Sequence, residues 1–117
     1  MRRGEIWLVE LDPISGSEAS KTRPCAIVSN DSRNIAAERN RRGVVTIVPL
    51  TSSARRPLDF QARITADPGT GLSTDSTAQA EQIRAVDYSR FVTRLGALSW
   101  EQRSAVDAAL EIHLDLS

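Results

Sequence analysis

The sequence contains very little cysteine or histidine. Cys25 and His113 are the single residues of their types among 117. One cysteine cannot form a disulfide within the chain, and no Cys/His group has the spacing of zinc ligands. We therefore expect no structural zinc and no other cofactor, although a magnesium ion needs only carboxylates and stays open from the residues. Cys25 lies in an apolar run, residues 24–28, which predicts a small buried side chain rather than a nucleophile.

Long apolar runs are also missing. No segment approaches the roughly 18 to 20 consecutive apolar residues that a membrane-spanning helix needs. The first seven residues pass directly into a strand-like pattern, without the apolar core of a signal peptide. From these two absences we expect a cytoplasmic protein with no membrane contact.

The chain has no formal net charge, because 15 basic residues balance 15 acidic ones. This balance argues against a strong positive field over the whole surface, but not against a local basic patch. Lys21 is the only lysine, and arginine binds phosphate through a planar fork and stacks on bases. The arginine bias therefore either favours RNA contact or reflects the composition of the genome. Aromatic residues are too few, at 4%, to identify a base-stacking platform.

Apolar alternation and β-branched runs predict a mainly β chain with one domain, residues 1–117. Six strands are expected, at residues 5–11, 25–29, 43–49, 60–65, 76–86 and 90–98, with a short helical turn over 33–39 and a tight turn at 67–71. The predicted fold class is α+β: a small, strongly curved antiparallel sheet or SH3-like barrel that a C-terminal helix closes.

The C-terminal helix has both a start signal and an apolar stripe. Ser99 and Gln102 match a capping box. The stripe that follows at helical spacing consists of Val106, Leu110, His113 and Leu114. His113 is therefore expected to be packed or to cap the helix rather than to act in catalysis.

Two polar clusters lie at the ends of neighbouring predicted strands. Arg23 follows a loop rich in Ser and Gly and precedes the second strand. Thr51 follows the third strand, with Ser52 and Ser53 behind it. A guanidinium beside small hydroxyls suits a phosphate group, because the arginine fork offers five fixed N–H donors. From the residues alone, an ion pair for Arg23 and an ordinary turn for the hydroxyls are alternatives.

Further polar residues are candidates for contacting an RNA base, which needs hydrogen-bonding edges more than charge. These side chains are Ser17, Glu18, Asn30, Ser52, Ser53, Glu81 and Gln82, with Gln79 beside the last two. For the 79–82 segment, the alternative is a polar strand face turned to solvent. Glu18 is also a candidate for accepting a proton, since it carries a carboxylate in the loop before Arg23.

Several short motifs, taken in order, resemble the MazF/PemK family of toxin endoribonucleases. They are Asp12-Pro13, Gly16-Ser17-Glu18, Arg23-Pro24, Val48-Pro49 with Thr51, and Glu81-Gln82-Ile83-Arg84. The resemblance runs from Arg3 to the final helix, and it implies the barrel that this family shares with gyrase-poisoning toxins. It also implies that Arg23 and Thr51 are catalytic and that Glu81-Gln82 contacts the substrate.

The activity that the resemblance implies is sequence-specific, metal-independent cleavage of single-stranded RNA. The 2′-hydroxyl attacks the adjacent phosphorus and leaves a 2′,3′-cyclic phosphate, or its hydrolysed form, and a 5′-hydroxyl end. The resemblance further implies a homodimer whose RNA groove a cognate antitoxin blocks. Two alternatives are a non-enzymatic poison that binds DNA gyrase through the C-terminal helix, and a scaffold that binds RNA or antitoxin without cutting.

Overall fold

Strands and helices follow one another along most of the chain. The computed structural model describes residues 1–12 and 21–116, apart from the side chains of Asp12 and Lys21. The strands are β1 (Glu5–Asp12), β2 (Lys21–Ile27), β3 (Val44–Ser52), β4 (Gln61–Ile64), β5 (Ser76–Gln79), β6 (Arg84–Asp87) and β7 (Phe91–Ala97). The helices are α1 (Asp31–Asn40) and α2 (Trp100–His113), and short 3-10 turns lie at Ala80–Gln82 and Tyr88–Arg90. No helix in these residues is long and apolar enough to cross a membrane.

All strand pairs are antiparallel, and β3 is the strand that joins most of them. The sheet has the order β4-β5-β3-β2-β1-β7, and β6 pairs with β3 as well. The residues of β3 from Val45 to Leu50 are all buried or half-buried, because apolar side chains cover both faces of this strand. The predicted α+β fold, an antiparallel sheet with a C-terminal helix, is confirmed.

Two apolar clusters lie on the two faces of the sheet. The first includes Leu50, Ile64 and Val106, so it lies between the sheet and α2. The second includes Ile47 and Cys25, and Ala37 of α1 packs with them. Fully burying one side chain of the size of leucine or isoleucine contributes about 1.5–3 kcal/mol. Apolar packing on both faces of the central strands therefore stabilises one arrangement of the sheet.

The end strands β4 and β7 are not paired with each other in the described residues, and a turn around Gly69 lies between them. The Ala97 amide of β7 donates to the Gly69 carbonyl oxygen at 2.9 Å. A Cβ on Gly96 would lie 2.3 Å from that oxygen, and a Cβ on Gly71 would lie 2.1 Å from the Leu95 carbonyl oxygen. Glycine is required at both positions. The predicted turn is thus the element that bridges the gap between the end strands.

Two strands are longer than predicted, and the difference moves the candidate site residues. β2 begins at Lys21 rather than at residue 25, and β3 continues to Ser52 rather than ending at residue 49. Pairing with β1 and β5 holds these extensions in strand geometry, which their loop-like composition did not indicate. Arg23 and Thr51 therefore lie inside strands, and each is within two residues of a strand end, as the sequence predicts.

The predicted strand 76–86 pairs with β3 along its length, but it is interrupted. Leu50 lies opposite Ala78, and Ile47 lies opposite Arg84, so three steps along β3 correspond to six along its partner. The extra residues form the 3-10 turn Ala80–Gln82. The prediction of one continuous strand was wrong, and Glu81 and Gln82 lie on a turn rather than on a strand face.

Both helices begin at a residue whose side chain caps the first turn. The Asn30 side chain accepts a hydrogen bond from the Arg33 amide at the start of α1, which is a ten-residue helix rather than the short turn expected. Ser99 and Gln102 form the predicted capping box of α2, in which each side chain bonds to the backbone N–H of the other residue.

The end of α2 differs from the prediction. Val106 and Leu110 are buried as expected, whereas His113 and Leu114 are exposed. The apolar cluster beneath α2 ends at Leu110, so the final turn of the helix lies outside it. The expectation that His113 packs was wrong. His113 lies in the last turn of α2, and the alternative expectation, that it caps the helix, stays a prediction.

Replacing Ser99 by alanine should lower the free energy of unfolding by about 1 kcal/mol, because the backbone N–H at Gln102 loses its capping partner. Urea denaturation followed by circular dichroism measures this change. Ser104→Ala is the matched control, since Ser104 is exposed within α2 and alanine is the better helix former there. Equal denaturation midpoints for the two variants would contradict the assigned cap.

Candidate active site

Arg23 and Thr51 extend from the same face of neighbouring strands. In the pairing of β2 with β3, Cys25 lies opposite Pro49. The β2–β3 pairing ends at this pair. Arg23 and Thr51 each lie two residues beyond it, and side chains two residues apart on a strand share a face. Both side chains are half-buried, so each keeps an accessible part.

The same sheet face is apolar on the inner side of these two residues. Val9, which lies opposite Arg23 in the pairing of β1 with β2, is fully buried, and so is Cys25. The Cys25 thiol is 3.5 Å from the Arg23 carbonyl oxygen, to which it donates. The Arg23 guanidinium therefore lies at the border between an apolar cluster and solvent, where its interaction with an anion is less screened than in bulk water.

The arginine pocket has a volume of about 290 Å³. It is lined by Leu11, Arg23, Pro49, Gln79, Gln82 and Arg84. Within the described part of the chain, no ion pair or hydrogen bond occupies the Arg23 guanidinium. Arg23 thus has no partner for a structural ion pair among these residues. The guanidinium groups of Arg23 and Arg84 make the pocket electropositive.

The threonine pocket adjoins it and has a volume of about 430 Å³. It is lined by Thr51, Ser53, Arg55, Arg56, Leu58, Gln61, Thr77 and Gln79. Gln79 lines both pockets. The two pockets are therefore neighbours, with Arg23 lining one and Thr51 lining the other.

The outer wall of the threonine pocket, residues 53–60, is held by side chains of β4. The Gln61 side-chain oxygen accepts a hydrogen bond from the Leu58 amide at 3.2 Å. The Arg63 guanidinium donates to the Arg55 carbonyl oxygen at 2.6 Å. Because both bonds fix backbone atoms of the wall, the pocket has a defined shape before any ligand enters.

The backbone at the end of β1 is held beside the arginine pocket by two guanidinium groups. Arg84 donates to the Leu11 carbonyl oxygen at 3.4 Å. Arg90 donates to the carbonyl oxygens of Glu10 and Leu11 at 3.3 Å each. Arg84 therefore has a positioning role in addition to its charge.

The predicted base-contacting residues lie in several places. Ser53 lines the threonine pocket, and Gln82 lines the arginine pocket. The Ser52 hydroxyl lies 2.9 Å from the Thr74 hydroxyl and lines neither pocket. Glu81 is half-buried and accepts a hydrogen bond from the Gln61 amide at 2.7 Å, so its side chain is not simply turned to solvent.

The described residues do not place three of the predicted base-contacting side chains at these pockets. Asn30 lies beyond the opposite end of β2 from Arg23, where its side chain caps α1. Ser17 and Glu18 fall outside the described residues. The prediction that these three side chains contact RNA stays a prediction.

Gln61, Thr77 and Arg84 line the pockets but were not singled out from the sequence as site residues. The alternation of polar and apolar residues over the predicted strand at 60–65 indicates that Gln61 shares a polar face with Arg63. No local pattern shows that this face borders a pocket, because that follows from the pairing of β4 with β5 and of β5 with β3.

Comparison with known sequences identifies a family for this fold and site. Residues 2–114 match the family described as PemK-like, MazF-like toxin of type II toxin-antitoxin system. The chain belongs to this family. Endoribonuclease MazF9 of Mycobacterium tuberculosis is 48% identical over 116 residues, covering 99% of this chain and 98% of that protein. Endoribonuclease MazF of Staphylococcus epidermidis is 32% identical over 120 residues, covering 100% of this chain and 93% of that protein.

Solved structures of MazF proteins have the same fold. A MazE–MazF crystal structure (Form-II) from Deinococcus radiodurans aligns with a TM-score of 0.76 at 24% identity, covering 100% of this chain and 97% of that one. An endoribonuclease in complex with its cognate antitoxin, from a mycobacterial species, aligns with a TM-score of 0.75 at 24% identity and the same coverage.

Cys25 of this MazF-family chain should be almost unreactive in the native state. Burial raises the pKa of its thiol to about 12, although the guanidinium groups of Arg23 and Arg84 act in the opposite direction. Because the thiolate is the reactive form, a thiol reagent at pH 8 should label the urea-unfolded chain much faster than the native one. Equal labelling rates would contradict the burial of Cys25.

The same pKa shift has a consequence for stability. The unfolded thiol loses its proton near its ordinary pKa of 9.0, whereas the native thiol keeps it to about pH 12. The contribution of Cys25 to the free energy of unfolding is therefore complete below pH 9 and falls as the pH rises toward 12. The Cys25→Ala variant serves as the control, since it lacks both the label and this contribution.

Proposed function

We propose that this MazF-family chain is a sequence-specific endoribonuclease that cleaves single-stranded RNA without a metal ion. One observation carries the proposal: Arg23 and Thr51 lie on one sheet face at adjoining pockets, and neither side chain has a hydrogen-bond partner in the described residues. The relatives at 48% and 32% identity, both named as endoribonucleases, support the class of reaction.

In the proposed reaction, the 2′-oxygen of one nucleotide attacks the adjacent phosphorus, and the bond from phosphorus to the 5′-oxygen breaks. The 2′-hydroxyl loses its proton, and the leaving 5′-oxygen gains one. Negative charge grows on the non-bridging oxygens in the transition state. Arg23 and Thr51 donate hydrogen bonds to these oxygens and so stabilise that charge. Arg23 also donates a hydrogen bond to the leaving 5′-oxygen through a second N–H group, and that oxygen takes its proton from water.

The group that accepts the proton from the 2′-hydroxyl has three candidates by chemistry. His113 is exposed at the end of α2 and is not among the residues that line either pocket. Glu81 accepts a hydrogen bond from Gln61 through one carboxylate oxygen, its other oxygen is buried, and it lines neither pocket. Glu18, which precedes β2 in the sequence, is the candidate that we propose for this role.

We also propose that the chain acts as a homodimer and that a cognate antitoxin segment covers its RNA site. Toxin–antitoxin complexes with this fold support the antitoxin partner. Arg55 and Arg56 are exposed at the rim of the threonine pocket, close to a face that already holds Arg23. An acidic antitoxin segment would be attracted to this rim by the same charges that attract RNA.

The wild-type protein should cleave single-stranded RNA in the presence of EDTA. The downstream fragments should accept a labelled phosphate from polynucleotide kinase without phosphatase treatment, because their 5′ ends carry a free hydroxyl. An oligonucleotide with a single 2′-deoxy nucleotide at the cut should stay intact, since it lacks the attacking oxygen. Cleavage that needs added magnesium, or cleavage of the deoxy oligonucleotide, would contradict the proposed chemistry.

Arg23→Gln and Thr51→Val should each reduce kcat about 100- to 1000-fold, because each removes one donor to the transition state. Single-turnover cleavage of a labelled RNA measures this loss. Arg33→Gln and Thr93→Val are matched controls, since Arg33 on α1 and Thr93 on β7 are exposed and line neither pocket. The controls should cleave like wild type.

Circular dichroism should show that all four variants are folded. If folded Arg23→Gln and Thr51→Val both cleave at the wild-type rate, the assignment of the site is wrong.

A further inference from the structure

We propose that Gln79 and Thr77 form the reading part of a nucleobase subsite in the threonine pocket, next to the scissile phosphate. The inference rests on the proposed function and names residues that determine its sequence specificity. The proposed occupant is the base of a nucleotide next to the cut, held by its hydrogen-bonding edge.

The two glutamines of this pocket differ in how their amides are used. Both ends of the Gln61 amide are occupied, since its oxygen accepts from the Leu58 amide and its nitrogen donates to Glu81. The Gln79 side chain makes no hydrogen bond to any described residue, and it does not cap the 3-10 turn that follows it. It is half-buried, so its amide is partly removed from water and available to a ligand.

Thr77 supplies a second polar group without a partner. Its side chain is only 4% exposed, it lines the threonine pocket, and its hydroxyl oxygen has no hydrogen-bond partner. An unsatisfied buried hydroxyl is unfavourable in the free protein. A base edge that enters the pocket and bonds to this hydroxyl would remove that unfavourable contribution to the free energy. An apolar ligand would not.

The register places both groups beside the proposed catalytic pair. Thr77 is the pairing partner of Thr51, and Gln79 lies two residues further on the same face of β5. Gln79 also lines the pocket that contains Arg23. A base held by these two side chains therefore belongs to a nucleotide that flanks the phosphate between Arg23 and Thr51.

The remaining walls suit a base with its sugar-phosphate. The pocket volume of about 430 Å³ lies within the range of small-molecule sites, about 300–1,000 Å³. Leu58 is 56% exposed although it is apolar, and as part of the lining it offers a surface for a base face. Arg55 and Arg56 at the rim offer charge to the phosphates.

The reading groups recognise a base by its hydrogen-bonding edge. A glutamine amide presents one donor beside one acceptor, and in single-stranded RNA every base exposes such a pair on its Watson–Crick edge. A glutamate at the same position presents acceptors alone, which match the two adjacent N–H donors of guanine. Gln79→Glu should therefore shift the preference toward guanine at one position of the cleavage motif.

The test begins by mapping the 5′ ends that the wild-type protein produces from a long transcript. Four oligonucleotides that differ only in the base at the flanking position are then compared by kcat/KM. Wild type should prefer one base over the others by about 10- to 100-fold. Gln79→Leu should remove this preference, and Gln79→Glu should shift it toward guanine, while the other positions of the motif stay unchanged.

Two exchanges at Thr77, Thr77→Val and Thr77→Ser, separate a role in base recognition from a role in stability alone. Thr77→Val keeps the shape but removes the unpartnered hydroxyl, so it should weaken the discrimination while leaving the denaturation midpoint unchanged or higher. Thr77→Ser keeps the hydroxyl and should retain the discrimination. Thr93→Val is the control for replacing a threonine by valine, because Thr93 is exposed on β7.

The outcomes separate this inference from the proposed function. If wild type cleaves no RNA, the proposed function fails and the inference fails with it. If wild type cleaves but shows no base preference at either flanking position, the inference alone is overturned. It is also overturned if every Gln79 variant keeps the wild-type motif, or loses activity equally on all four oligonucleotides.

Discussion

The register of β3 is the constraint on which the rest of the structure depends. This strand pairs with β2 along one edge and with β5 and β6 along the other. Val45 and Ile47 point to one apolar cluster, and Val48 and Leu50 point to the other. A shift by one residue would exchange the two faces along the whole strand, and it would carry Thr51 away from the face that holds Arg23. The core therefore sets the geometry of the site.

The site lies where one apolar face of the sheet becomes polar. Cys25 is enclosed in the cluster, and the pKa of its thiol responds mainly to burial but also to the charges of Arg23 and Arg84. These guanidinium groups are therefore near enough to the apolar interior to act through a medium less polar than water. A chain with no net charge can in this way present a local positive site, and the arrangement of its arginines matters more than their number.

The three extra residues between β5 and β6 connect the catalytic face to the pocket wall. They let the chain continue along the same edge of β3 after a turn, and they place Glu81 where it accepts a hydrogen bond from Gln61. Gln61 in turn holds the backbone of residue 58. An irregularity in the sheet thus supports the wall of the threonine pocket, which a regular strand with an alternating pattern would not do.

Local sequence patterns determined the element types and the family motifs. The capping box at Ser99, the turn before Gly71, the burial of Cys25 and the order of most strands follow from short-range chemistry, and the motifs around Arg23 and Thr51 indicated the family. The extension of β2 and β3, the break after Gln79 and the exposure of His113 were decided by pairing and packing between segments distant in the sequence. The same holds for the shared face of Thr51, Thr77 and Gln79: a strand pattern shows which residues lie on one side of a strand, and only its neighbours decide what that side faces.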